Sequence, residues 1–420
     1  MSKKKVLFIT TRLIYPTNSG RKVVLYNYCK GLSEIHDCDV YLFSFLEVGE
    51  TRKINQPDFI KKVFYAKQPE KVEKIKNLIK KTFIERNWPL QISLYYSKST
   101  YNQLIKVIKD IEPDVLICDM ARTAEYIRNI NVPNAKKILD MDDLISKRYE
   151  RQINSSSLDI TTFGFYAKKL PLFIQKVFNF KYIVKSVLKF ESKILSNYEK
   201  QLVRDFDSVI FVSPLEAEEY NELTNSNKAI DITIGVDYEY YSKQVAEKTI
   251  KNLIGFLGNM YVSHNKDAVN YFLKEIFPAI KKEIPNAKFR IVGKCSEGYK
   301  KQFDAYECIE VTGEVDDIRK YIQECEIVVA PLTYGSGIKT KILETMAMGI
   351  PVITNDIGIE GIKVTDNQLV VALNSEQFVN NIVNLLNNKS KLEYMSQNSL
   401  LFIDNNYRWE NILLKFNKII

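Results

Sequence analysis

Residues 335–353 constrain the fold more than any other stretch of the chain. They read Gly-Ser-Gly-Ile-Lys-Thr-Lys-Ile-Leu-Glu and then Thr-Met-Ala-Met-Gly-Ile-Pro-Val-Ile. With the apolar run Ile327 to Ala330 ahead of them, they spell a strand, a glycine-bearing loop, a helix, a Gly-Ile-Pro turn and a second strand. A helix entered from a Gly335-Ser336-Gly337 loop aims unpaired backbone N–H groups and the positive end of its dipole outward, which suits a diphosphate. Lys339 and Lys341 put positive charge in the first turn, where a helix intrinsically favours acids. That local conflict points to an anionic ligand rather than to optimised helix stability. Glu344 falls about one turn further in, within reach of hydroxyls on whatever carries the phosphates. A lone Gly-x-Gly is weak, and any βαβ unit needs a turn and a helix. The specificity lies in the whole block through Pro351.

Taken whole, the block resembles the nucleotide-sugar site of GT-B glycosyltransferases, in particular the large retaining group called glycosyltransferase family four (glycosyl transferases group 1). That family has a loop–helix block ending in Glu, then small residues, Gly, one residue, Pro and a β-branched strand. The resemblance implies that Glu344 binds the nucleotide ribose. It implies that the loop around Gly335, Ser336 and Gly337, the amides of Ile338 and Thr340, and Lys339 hold the diphosphate, with Lys339 stabilising it as it departs. It also implies a metal-independent reaction with no cofactor, the nucleotide diphosphate sugar being the donor substrate. There is one departure. The family often carries a second Glu eight residues before the ribose Glu, and Ser336 stands there.

The chain's 420 residues are too many for one ordinary core and suit two domains. Val6 to Thr10 is a continuous apolar run, as expected of a buried parallel strand. Alternating strands and helices follow, with strands at Val40 to Phe45, Val115 to Cys118, Lys137 to Leu139 and Ser208 to Val212. A second cycle starts at Asn252, with strands at Lys288 to Val292, Ile309 to Thr312, Ile327 to Ala330, Pro351 to Thr354 and Leu369 to Val371. The pattern predicts an α/β protein of two Rossmann-like doubly wound domains facing a cleft, the GT-B arrangement. The expected division is 1–228 for an acceptor domain, 229–400 for a nucleotide-sugar domain, and 401–420 for a terminal helix that returns to the first domain.

Ligands of open α/β sheets sit beyond the carboxyl ends of the strands. After the first strand, Gly20 opens a helix with Arg21 in its first turn, a second possible phosphate cradle that resembles the family's first-domain glycine loop. An ordinary loop with a capping glycine is the alternative. The Gly-x-Gly-x-x-Gly of a nicotinamide site is absent there. Asp140-Met141-Asp142-Asp143 follows the strand Lys137 to Leu139. In related enzymes this loop faces the acceptor, so either Asp142 or Asp143 is expected to orient the attacking hydroxyl; helix capping is the competing role. In the second domain Asn259 follows the first strand and Lys266 is the basic residue nearby, with His264 beside it. Gly293 ends another strand where the base would stack.

The net charge of +9 favours anionic partners. No nucleic-acid motif accompanies it, so phosphorylated substrates and anionic lipid are preferred. Six scattered cysteines without a Cys-x-x-Cys pair and only two histidines offer no zinc site, and read as reduced, core-filling thiols of a cytosolic protein. The basic start followed by Val6-Leu7-Phe8-Ile9 is a first strand rather than a signal peptide, because Arg12 interrupts the apolar run. Residues 161–190 combine eight aromatics with six lysines and no acids. Within a basic helical insertion at about 160–200, Lys181, Lys185 and Lys189 form an i, i+4 row, with Ile183, Val187 and Ile194 on another face. Such a helix suits an anionic membrane surface at the inner face of the cell membrane; the alternative is a helical pair packed on the fold with solvated lysines. The expected activity is transfer of a sugar to a glycan or lipid-linked glycan in cell-surface polysaccharide or glycoconjugate synthesis. A sugar-nucleotide epimerase of the same architecture and a non-catalytic partner subunit are the rival readings.

Overall fold

The computed structural model describes residues 3–17, 19–47, 50–52, 55–154, 181–335 and 337–420, without the side chains of 152, 154 and 181–184. The aromatic and basic residues of 160–180, and Ser336, lie outside the described residues.

Two compact units result: residues 1–233 with 413–420, and residues 234–412. The first holds a seven-stranded sheet in the order β3-β2-β1-β4-β5-β6-β7. Its strands are β1 (Lys5–Thr10), β2 (Asp39–Ser44), β3 (Ile60–Tyr65), β4 (Val115–Asp119), β5 (Lys136–Asp142), β6 (Ser208–Phe211) and β7 (Ala229–Asp231). Every pairing is parallel. The central β4 is buried at all five positions, which is why it reads as an unbroken apolar run rather than an alternating one. The second unit has a six-stranded parallel sheet in the order β10-β9-β8-β11-β12-β13. These strands are β8 (Leu253–Leu257), β9 (Lys288–Val292), β10 (Ile309–Gly313), β11 (Ile327–Ala330), β12 (Val352–Thr354) and β13 (Val370–Val371).

In each sheet the winding reverses beside the first strand, between β1 and β4 and between β8 and β11. The crevice beyond the carboxyl ends at such a reversal is where open α/β sheets bind ligands. The loops after β1, β4, β8 and β11 are therefore the ones to inspect.

Three expectations change. Ala229–Asp231 hydrogen-bonds alongside β6 and completes the first sheet, so the first unit runs to Thr233 rather than to 228. The return to the first unit starts at Leu413, not at 401; residues 401–412 belong with the second unit. In that tail Phe416 packs edge-on against Tyr28, and the His36 ring meets the Leu413 carbonyl at 2.8 Å. Finally, Asp140 to Asp142 are the last residues of β5 rather than a loop, paired with β6 across a register shift.

Candidate functional site

In the second unit the chain leaves β11 and turns through Gly335 (φ +144°) and Gly337 (φ +72°), backbone conformations that a side chain would strain. It then enters the helix Thr340–Ala347. Ile342, Leu343, Met346 and Ala347 are buried and fix that helix on the sheet, and Ile338 packs partly against the same core. Lys339 is the N-cap, no side chain caps the helix, and no acid stands in its first turn. The mouth therefore keeps its positive character.

Both lysines are largely buried there. Lys339 donates from Nζ to the Gly337 carbonyl at 2.5 Å and lies 3.9 Å from Glu360 Oε2. Lys341 donates to Asn265 Oδ1 at 2.7 Å, with its ammonium 4.6 Å from the centre of the Phe256 ring. Burial, with the neighbouring Lys339 charge adding to it, pulls Lys341 down to about 7. Two crowded ammonium groups at a helix N-terminus form a site short of negative charge. One turn deeper, burial raises the Glu344 carboxyl, and a hydrogen bond with Tyr241 offsets part of that rise.

The other second-unit residues fall around this mouth unequally. Asn259 is exposed after β8; its Oδ1 accepts the Tyr261 amide, and its carbonyl accepts Asn265 Nδ2 at 2.9 Å. Asn265 thus ties the β8 loop to Lys341. Gly293 (φ +138°) ends β9 so close to that loop that a Cβ would lie 2.2 Å from the Gly258 carbonyl oxygen. Lys266 belongs to the helix Ser263–Tyr271 rather than to a loop, with its ammonium 5.8 Å from the Tyr299 ring centre. His264, in the same helix, meets Tyr334 edge-on.

In the first unit a carboxylate cluster closes around Arg21. Its Nη2 lies 2.7 Å from both Asp119 Oδ1 and Asp140 Oδ2, and its Nη1 lies 3.0 Å from Asp142 Oδ1. Gly20 only begins the helix Gly20–Glu34 that presents Arg21. The expected phosphate cradle at Gly20 and Arg21 is therefore corrected, since this guanidinium is occupied by three carboxylates of its own unit. Burial works to raise Asp119, but Arg21 and hydrogen bonds from the Thr11 hydroxyl and amide hold it below the usual carboxylate range. Asp140, buried without such donors and facing two like charges, is pushed up to about 7 despite Arg21.

Asp142 and Asp143 are each about a quarter exposed and differ in their partners. Partial burial raises the Asp143 carboxyl, while Arg148 at 3.0 Å pulls the other way. Asp142 keeps a quarter of its side chain open and has φ +68°; Met120, at the end of neighbouring β4, has φ +65°. Two non-glycine residues in this strained region at adjacent strand ends mark a place the fold over-determines. Sequence reading missed Asp119, Asp140, Asn265, Tyr241 and Glu360. Asp119 had a legible signal, an acid directly after an apolar run. Glu360 had none, because its proximity to Gly337 depends on β12 lying beside β11.

The basic helix is also corrected. In the helix Lys181–Leu202, Leu188 and Leu195 are buried with Ile145, Tyr149 and Ile153, Val187 packs against that cluster, and Ile194 is buried. Its apolar face is internal, while Lys185 and Lys189 stay exposed. No helix among the described residues is long and apolar enough to cross a membrane.

Two switch-point sheets and a basic helix mouth with a carboxylate one turn inside define a GT-B glycosyltransferase. Residues 251–388, within the second unit, match the family described as Glycosyl transferases group 1. Over 414 residues the chain is 22% identical to the "Uncharacterized 44.6 kDa protein in cps region" of Klebsiella pneumoniae, covering 96% of each. Its fold is similar to sucrose-phosphate synthase from Thermosynechococcus elongatus (TM-score 0.64, 12% identity, 99% and 98% of the two chains). It is also similar to a TarM variant of S. aureus in complex with fondaparinux, α-GlcNAc-glycerol and UDP (TM-score 0.62, 13% identity, 99% of each chain).

Proposed function

We propose that this glycosyltransferase is retaining and moves a sugar from a nucleotide diphosphate sugar to a hydroxyl of a glycan or lipid-linked glycan, in cell-surface polysaccharide or glycoconjugate synthesis. The observation that carries the reading is the pair of buried ammonium groups, Lys339 and Lys341, at a helix mouth that opens from glycines and has Glu344 behind it. A diphosphate supplies the charge this mouth lacks, and the ribose hydroxyls reach Glu344.

In the reaction the bond from the anomeric carbon to the diphosphate oxygen breaks, a bond to the acceptor oxygen forms on the same face, and the acceptor hydroxyl's proton passes to the departing diphosphate. Charge then grows on the leaving diphosphate, and the Ile338 to Thr340 amides and Lys339 stabilise it. Asp142, paired with Arg21 and held at positive φ at the end of β5, orients the acceptor hydroxyl. The ligands of the TarM complex, UDP and a glycerol glycoside, support a uridine-type donor and a hydroxyl acceptor. The cps region in the Klebsiella relative's name supports a surface-polysaccharide acceptor.

A thermal-shift screen of nucleoside diphosphates tests the reading, since a ligand selective for the folded chain raises its melting temperature. One base should stand out, and Glu344→Ala should abolish its shift. A screen in which no diphosphate moves the transition, or an unchanged shift in Glu344→Ala, overturns the site.

A further inference from the structure

The membrane-facing surface expected at 160–200 has a better-built counterpart elsewhere in the first unit. The helix Lys71–Asn77 runs on into a π-helical stretch, Leu78–Ile84. Along it Val72, Ile75, Ile79, Phe83 and Ile84 are 77%, 43%, 54%, 55% and 71% exposed. The first four follow the i, i+3, i+7, i+11 spacing of one helical face. The opposite side is pinned: Leu78 and Thr82 are buried, the Thr82 and Ser93 hydroxyls meet at 2.8 Å, and Asn77 Nδ2 donates to the Tyr96 carbonyl at 3.0 Å. The helix cannot roll to hide its apolar stripe without breaking these bonds.

Charge identifies the partner. Residues 71–86 carry Lys71, Lys74, Lys76, Lys80, Lys81 and Arg86 against only Glu73 and Glu85. Both acids are engaged within the unit, Glu73 by the Lys98 amide at 2.7 Å and Glu85 by Lys81 at 2.7 Å. Lys71, Lys76 and Lys80 are exposed beside the stripe. Phe83 stacks on Phe190 at 5.9 Å, which joins the stripe to the helix bearing exposed Lys185 and Lys189. Exposed apolar side chains flanked by exposed lysines fit an anionic lipid surface: the stripe enters the acyl boundary and the ammonium groups meet phosphates.

We propose that the helical face of residues 71–84 docks the protein on an anionic membrane leaflet. The assignment rests on no feature of the nucleotide site. The test is co-sedimentation of the full chain with phosphatidylcholine vesicles, with and without phosphatidylglycerol. Binding is expected only with phosphatidylglycerol and should weaken with salt. Val72→Ser/Ile79→Ser/Ile84→Ser should lower it ~tenfold or more, and Lys76→Glu/Lys80→Glu should also lower it. Nucleoside diphosphate binding should be unchanged in both variants, which separates this proposal from the donor-site reading and confirms that they fold. The proposal is overturned if the parent chain ignores anionic vesicles, or if the serine variant binds them as well as the parent. It is equally overturned if sedimentation shows a dimer that the serine substitutions dissolve, because a second copy then covers the stripe.

Discussion

The Gly337 amide donates to Glu360 Oε2 at 3.0 Å, so the loop that opens the donor helix already holds an anion of its own. That carboxylate also lies 3.9 Å from Lys339, the ammonium proposed to meet the diphosphate. Glu360→Gln keeps an oxygen for Gly337 and removes the competing charge. Calorimetric titration with the nucleoside diphosphate should show about fivefold tighter binding, equivalent to ~1 kcal/mol. Equal or weaker binding would mean that the carboxylate itself contacts the donor.

Lys339→Ala removes the cation that the proposed mechanism places at the leaving group. A charge-assisted hydrogen bond contributes ~1.5–3 kcal/mol, so turnover should fall about tenfold to a hundredfold, more than folding stability changes. Steady-state kinetics beside a urea melt check this, and unchanged donor hydrolysis and transfer would remove Lys339 from the mechanism.

Lys341 gives the site a pH dependence. Its proton is held only up to about 7 in the free protein, and a bound diphosphate favours the charged form. Binding of an intact nucleotide sugar, whose diphosphate does not titrate near neutrality, should therefore be tightest below pH 7. It should weaken up to about tenfold per pH unit above that. Calorimetry in buffers of different ionisation heat should register proton uptake above pH 7, and Lys341→Met should abolish both effects.

Arg21 tests the carboxylate cluster. Arg21→Met leaves Asp119, Asp140 and Asp142 facing one another, a loss of ~3–5 kcal/mol by analogy with other broken buried ion pairs. An acid whose folded pKa is raised holds its proton better in the folded state, so its destabilising effect grows as pH rises from its unfolded value near 4 through about 7. Urea unfolding should accordingly show a larger deficit for Arg21→Met at pH 8 than at pH 5.

Gly293→Ala should be among the most damaging single-methyl changes in the second unit. The added Cβ meets the Gly258 carbonyl oxygen, and φ +138° is closed to alanine. About 2–4 kcal/mol of stability should be lost in denaturant melts.

The strands of both sheets could be read from the chain because each is a short apolar run between turn signals, a property of neighbours in sequence. β3 and β7 escaped because neither is an apolar run of that kind. Ile60–Tyr65 begins Ile-Lys-Lys, with both lysines exposed, and Ala229–Asp231 is only three residues long. The helix mouth at Lys339 was equally local and therefore legible.

By itself, then, the sequence determined the alternation of strands and helices, the two nucleotide-style units, and a basic glycine-led helix with Glu344 inside it, since these depend on residues within a few positions of one another. Only the tertiary structure decided that Arg21 is engaged by its own unit's carboxylates, that Glu360 reaches Gly337, and that the apolar face of the 181–202 helix is buried while that of 71–84 is bare. Those outcomes depend on which strand lies beside which and on what covers each helix. The Arg21 contacts span about a hundred residues of chain, and no local propensity encodes them.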